Sequence, residues 1–79
     1  MTNNTIIRDL IKSGRKIIDI IPATPMTDTT IVLERGYSIQ YNRNEGIGIW
    51  HENTDGTYTS YPIRQSANEI FADMEKLGI

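Results

Sequence analysis

The chain has 79 residues, with eight Lys or Arg against ten Asp or Glu, a net charge of −2, one His and no Cys. A chain of this length makes one domain. The missing Cys excludes a disulfide framework and a Cys-based zinc site, and a charge this close to neutral excludes a partner chosen by bulk electrostatics.

The order of the charges says more than their sum. Residues 1–43 hold six basic groups (Arg8, Lys12, Arg15, Lys16, Arg35, Arg43) and four acidic ones (Asp9, Asp19, Asp28, Glu34). Residues 44–79 hold two basic groups (Arg64, Lys76) and six acidic ones (Glu45, Glu52, Asp55, Glu69, Asp73, Glu75). No charged-then-apolar leader opens the sequence, and no apolar run approaches the ~18 residues of a membrane span. The expectation is a soluble, cytoplasmic protein with no membrane partner.

The first element covers residues 2–21. Thr2, Asn3, Asn4 and Thr5 offer N-caps. Ile6, Ile7, Leu10, Ile11, Ile17, Ile18 and Ile21 follow at helical spacing. The periodicity predicts one continuous helix through Gly14, stopped by Pro22. The alternative ends the helix at Ser13, with Gly14 just past its C-terminus and Lys16 to Ile21 a short strand. Ala23 to Asp28, with Pro25, reads as a connection.

Thr29 to Asn42 alternates. Ile31, Leu33, Tyr37, Ile39 and Tyr41 share one parity, and Val32, Glu34, Ser38, Gln40 and Asn42 the other. Gly36 divides this run as a tight turn at Arg35-Gly36 or as a bulge in one bent strand. A four-residue loop, 43–46, then leads to a strand over 47–52, with Asn42 facing Ile47 and Ile39 facing Trp50. Asp55-Gly56 reads as a two-residue hairpin turn with φ > 0 at both positions. It sets Glu52 against Thr59 and Trp50 against Tyr61. Together these registers predict a core face of Ile39, Tyr41, Gly48, Trp50, Tyr61 and Ile63, with Ile47, Ile49, His51 and Tyr58 on the opposite side.

Pro62 ends the last strand. Ser66-Ala67-Asn68-Glu69 is a capping box. Ala67, Ile70, Phe71, Met74 and Leu77 keep helical spacing up to Gly78, which suits the position after a helix C-terminus. The fold class is α+β: an N-terminal helix, a three- to four-stranded antiparallel sheet and a C-terminal helix.

Motifs for chemistry are sparse. His51 is the sole histidine, and Ser60 faces it in this register, a pair that reads as surface structure and not as catalysis. The carboxylates show neither acid/base pairing nor calcium-loop spacing. The glycines do not open a helix after a strand, so there is no phosphate cradle. Arg8, Lys12, Arg15 and Lys16 would form a basic stripe on a continuous helix, and such a stripe contacts phosphates.

Trp50, Asp55-Gly56, Tyr58, Ser66-Ala67 and Glu69, within residues 37–77, resemble the small three-strand-plus-helix DNA-binding modules at the N-terminus of tyrosine-type phage integrases. That resemblance implies a DNA-binding accessory module. Those modules carry basic residues on their strands, whereas this chain turns acidic from residue 44 onward. The order of helix, antiparallel sheet and helix in a short, Cys-free, mildly acidic chain also resembles the small phage-encoded inhibitors of host defence, anti-CRISPR proteins among them. This second resemblance implies a non-enzymatic protein that binds and inhibits or modulates a host protein.

The reading that combines these features is a protein-binding inhibitor without cofactor, metal or catalytic residues. Its partner is a host protein with a basic surface, and its interaction residues are Glu45, Glu52, Asp55, Glu69 and Asp73. A second candidate surface is the apolar set Ile47, Ile49 and Tyr58, which would serve a homodimer. Nucleic acid is the lesser alternative partner.

Overall fold

The computed structural model describes residues 3–25, 28–42 and 45–79, with the side chains of 3–7 and 42 left aside. Thr2 among the expected caps, Met26 and Thr27 of the connection, and Arg43 and Asn44 of the third loop lie outside the described residues. The elements are α1 (Asn3–Lys12), β1 (Ile17–Ile21), β2 (Thr30–Leu33), a 3₁₀ turn (Glu34–Gly36), β3 (Tyr37–Asn42), β4 (Gly46–Glu52), β5 (Tyr58–Ser60) and α2 (Ala67–Leu77). The strands pair in chain order as one antiparallel sheet, β1-β2-β3-β4-β5. The fold class is thus α+β as expected, with five strands in place of three or four.

The added strand follows from the end of α1. The helix stops at Lys12, and Gly14 takes a left-handed conformation (φ 79°). The Gly14 amide donates to the Ile11 carbonyl at 3.1 Å and the Arg15 amide to the Leu10 carbonyl at 3.3 Å. These two bonds form a Schellman cap, and the Ser13 hydroxyl adds a third bond to the Leu10 carbonyl at 2.7 Å. Periodicity had favoured one long helix, but a glycine able to enter the left-handed region gives the helix a satisfied end there. Residues 17–21 then form β1.

Gly36 is a turn and not a bulge. Arg35 (φ 60°, ψ 30°) and Gly36 (φ 82°) are both left-handed, and the Tyr37 amide closes the turn on the Glu34 carbonyl. Left-handed dihedrals at both central positions match the right-handed twist of the flanking strands.

Two registers differ from the sequence expectation. In β3–β4, Ile39 faces Ile49, Ser38 faces Trp50 and Asn42 faces Gly46. The loop is therefore one residue shorter than four, and a one-residue slip reverses every side chain of β4. In β4–β5, Trp50 faces Ser60 and Glu52 faces Tyr58. The Asn53 amide donates to the Thr57 carbonyl and the Gly56 amide to the Asn53 carbonyl, at 2.8 and 3.0 Å. Only Gly56 is left-handed (φ 87°). Asp55 instead uses its carboxylate, which accepts from the Thr57 amide at 3.0 Å and the Thr57 hydroxyl at 2.6 Å.

The core is accordingly Leu10 of α1, Ile31, Leu33, Ile39, Ile47 and Ile49 of the sheet, and Ile70 and Met74 of α2. Ile47 and Ile49 are 0% and 1% exposed, so the proposed apolar surface patch does not exist; of its three members only Tyr58, 64% exposed, lies outside. Trp50, expected in the core, is half-buried on the other side of the sheet. Burying two isoleucines against Ile31, Leu33 and Ile39 decided the register, because each such side chain contributes about 1.5–3 kcal/mol when removed from water.

Helix α2 packs on this same core side. Ser66 is its N-cap, accepting from the Glu69 amide at 3.3 Å and donating to the Glu69 carboxylate at 3.0 Å. A second Schellman cap ends it. Gly78 (φ 74°) donates to the Glu75 carbonyl at 3.1 Å, and Ile79 to the Met74 carbonyl at 2.9 Å. With Leu10 and Ile70 both in the core cluster, the two helices share one side of the sheet, and no described element covers the other.

Candidate interaction face

The strands that build the uncovered side are short, and their outward positions follow from the registers. Asp19 and Ile21 come from β1, Thr30 and Val32 from β2, Ser38 and Gln40 from β3, Gly48, Trp50 and Glu52 from β4, and Tyr58 and Ser60 from β5. The twist of the sheet leaves a shallow concavity of about 340 Å³ there, bordered by Ile21, Val32, Gln40, Trp50, Glu52 and Tyr58.

Trp50 is its largest bordering side chain. A Cβ built on Gly48 would collide with the six-membered ring of Trp50, so the ring lies against the Gly48 backbone two residues back along its own strand. The glycine is buried by that ring. An aromatic covering a strand glycine protects main chain that would otherwise be open to water.

The charges sort by side. None of the five strands contains a Lys or Arg. Glu52 borders the concavity, and Asp19, paired with Val32, joins it on the same side, its carboxylate accepting from the Ile20 amide at 2.8 Å. Arg8 and Lys12 belong to α1 and Lys76 to α2. Arg15 stacks 5.2 Å from the Phe71 ring centre, and its Nε donates to the Ile79 carbonyl at 3.2 Å. Arg35 donates to the Gly78 carbonyl, and Lys16 lies 3.8 Å from Glu34. Arg15 and Arg35 thus serve the negative end of α2. The basic stripe expected on a continuous helix is divided between α1 and the loop that follows it.

The five acidic residues singled out in the sequence do not meet. Glu45 precedes β4 and Glu52 ends it, roughly 23 Å away at ~3.3 Å per residue. The Glu45 carbonyl accepts from Gln65 Nε2 at 2.6 Å. Asp55 sits in the β4–β5 turn, and Glu69 and Asp73 lie on α2, which packs on the other side of the sheet. Asp73, with a side chain 14% exposed, accepts from Arg64 Nε at 2.7 Å and Nη2 at 3.1 Å. The Arg64 hydrogen bonds hold the Asp73 carboxyl below its ordinary range and raise the guanidinium further. The Thr57 side-chain and backbone bonds likewise lower Asp55. Asp73 is therefore a structural partner, and of the five only Glu52 belongs to the Trp50 face.

His51 faces Thr59 and not Ser60. Its Nδ1 is 2.9 Å from Asn53 Oδ1, its Nε2 is 3.0 Å from the Arg35 carbonyl, and its ring is 4.4 Å from that of Tyr37. It ties the β2–β3 turn to the β4–β5 hairpin. Among the described residues no group of three or more His, Asp or Glu side chains comes together to hold a metal ion. No described helix is long and apolar enough to cross a membrane.

Sequence reasoning put Val32, Ser38 and Gln40 on one parity but missed that Trp50 joins them on that face. The signal that could have shown this is Gly48: a glycine on the core side of a central strand leaves a hole, whereas on the outer side Trp50 can cover it. No protein-family model, curated protein or solved structure matches this chain.

Proposed function

We propose that the chain is a small non-enzymatic binding protein that docks the Trp50 face of its sheet on a basic surface of another protein. One observation carries this reading: an uncovered sheet face that holds the sole Trp bears two carboxylates and, among the described residues, no cation, while the described cations serve the helices, turns and loops. Aromatic residues supply large contact area at binding surfaces, and an anionic rim steers a cationic partner into register. A single-stranded nucleic acid would use such an aromatic sheet only with a positive groove for its phosphates, and the strands offer none. Its helix–sheet–helix order supports a narrower form, a phage- or prophage-type inhibitor or modulator of a host nucleic-acid-handling or defence protein. In that role an acidic, aromatic face would occupy a site made for nucleic acid.

The test compares capture from a bacterial lysate by three versions of the chain. The parent should retain a basic, nucleic-acid-handling protein. Ser38→Lys, which puts a cation beside Trp50, should lose it, and Lys12→Glu on α1 should keep it. A Ser38→Lys chain that captures the same protein as well as the parent would refute the reading.

A further inference from the structure

We propose that the element this face recognises is an arginine side chain of the partner, its guanidinium seated against the Trp50 ring and paired with Glu52; the inference rests on the docking face proposed above. Trp50 and Glu52 are two residues apart on β4 and border the same concavity, their backbone positions about 7 Å apart along the strand; the six-membered ring lies back over Gly48, so the five-membered end of the indole is the part nearer Glu52. A guanidinium is planar, stacks on aromatic rings and presents a fork of N–H donors to a carboxylate. One side chain can therefore engage both groups. A lysine ammonium is a compact, strongly hydrated point charge and satisfies one of them at a time.

The ring is prepared for this use. Gly48 leaves no Cβ beneath it, so the indole rests against main chain instead of standing over the sheet. Its neighbours Ser38 and Ser60, which face Trp50 across the strands, are short. They leave the five-membered end of the indole uncrowded and offer hydroxyls to the outer N–H groups of a guanidinium, while Gln40, which faces Gly48, flanks the six-membered ring. The ring quadrupole presents a negative face to a cation. Asp19, on the same side two strands beyond Ser38, places a second carboxylate for a further basic residue of the partner.

Because Trp50 is the sole Trp, its fluorescence reads occupancy directly. The probe is the end-blocked peptide Thr-Arg-Thr-Arg-Thr, with versions in which lysine or citrulline replaces both arginines. The arginine peptide should change Trp50 emission saturably. The lysine version should bind about threefold more weakly, and citrulline, which keeps the planar fork but not the charge, about tenfold more weakly. Glu52→Gln, an exposed substitution that should not move the melting temperature, should also weaken the arginine peptide about tenfold. Equal binding of arginine and citrulline peptides, or unchanged binding by Glu52→Gln, overturns the proposal. So does a thymidine decanucleotide that changes Trp50 emission where the arginine peptide does not. Equal binding of arginine and lysine peptides that Ser38→Lys abolishes overturns the arginine assignment and leaves the docking face standing. Arginine-peptide binding that Ser38→Lys leaves intact overturns both.

Discussion

At the scale of single residues, three glycines separate strain from contact. Gly56 (φ 87°) has open space around a would-be Cβ, whereas at Gly46 (φ 122°) that Cβ would strike the Arg64 carbonyl and approach Gln65 Nε2 and Ile63 Cγ2 at 3.0 Å. Gly56→Ala should therefore cost about 1–2 kcal/mol, the left-handed penalty alone. Gly46→Ala must in addition push main chain away, so its melting temperature should fall further; equal losses would contradict the packing at Gly46. At Gly48 the obstacle is the far end of a side chain that can swing. Gly48→Ala should leave the melting temperature nearly in place and shift Trp50 emission to the red, and unchanged emission would show that the ring does not rest on Gly48. The Arg64–Asp73 pair adds a pH dependence. Its hydrogen bonds lower the Asp73 carboxyl in the folded chain, so its stabilisation is present above the ordinary carboxylate range and disappears as pH falls through the lowered value. Melting curves of the parent and Asp73→Asn should differ most near about pH 6 and converge in strong acid.

At the scale of elements, both helix C-termini close by the same device, and the sequence disclosed one of them. Gly78 follows a periodic run and reads as an end; Gly14 does the same job, but Ile17, Ile18 and Ile21 beyond it keep helical spacing and hide the stop. Gly14→Ala should lower the melting temperature by an amount corresponding to about 1 kcal/mol, since its Cβ would meet nothing and only the left-handed backbone resists. Parity was legible in β2 and β3, where Ile31, Leu33 and Ile39 are buried as their alternation required. It failed in β4 because both parities there are apolar, Ile47 and Ile49 against Gly48 and Trp50. The loop before β4 then had to set the register, and Gly46 pairs with Asn42 inside the ladder. The acidic half of the chain misled in the same way: Asp73 and Asp55 are engaged by Arg64 and Thr57, and a linear charge count cannot tell which carboxylates are engaged within the fold.

At the scale of the molecule, five strands carry two helices on one side and a Trp on the other. A sheet of this kind needs cover on only one face, and antiparallel sheets commonly turn the second to water. What distinguishes this second face is its content, an indole over glycine with Glu52 on its own strand, Asp19 three strands away and no cation on any strand. A face kept only for solubility would mix the charge signs. The most direct measurement of that claim is acrylamide quenching of Trp50, alone and with the captured partner. Quenching of the isolated chain that is strongly reduced in the complex is the predicted result. A Trp50 that resists quenching in the isolated chain, or is quenched equally in the complex, would contradict the account.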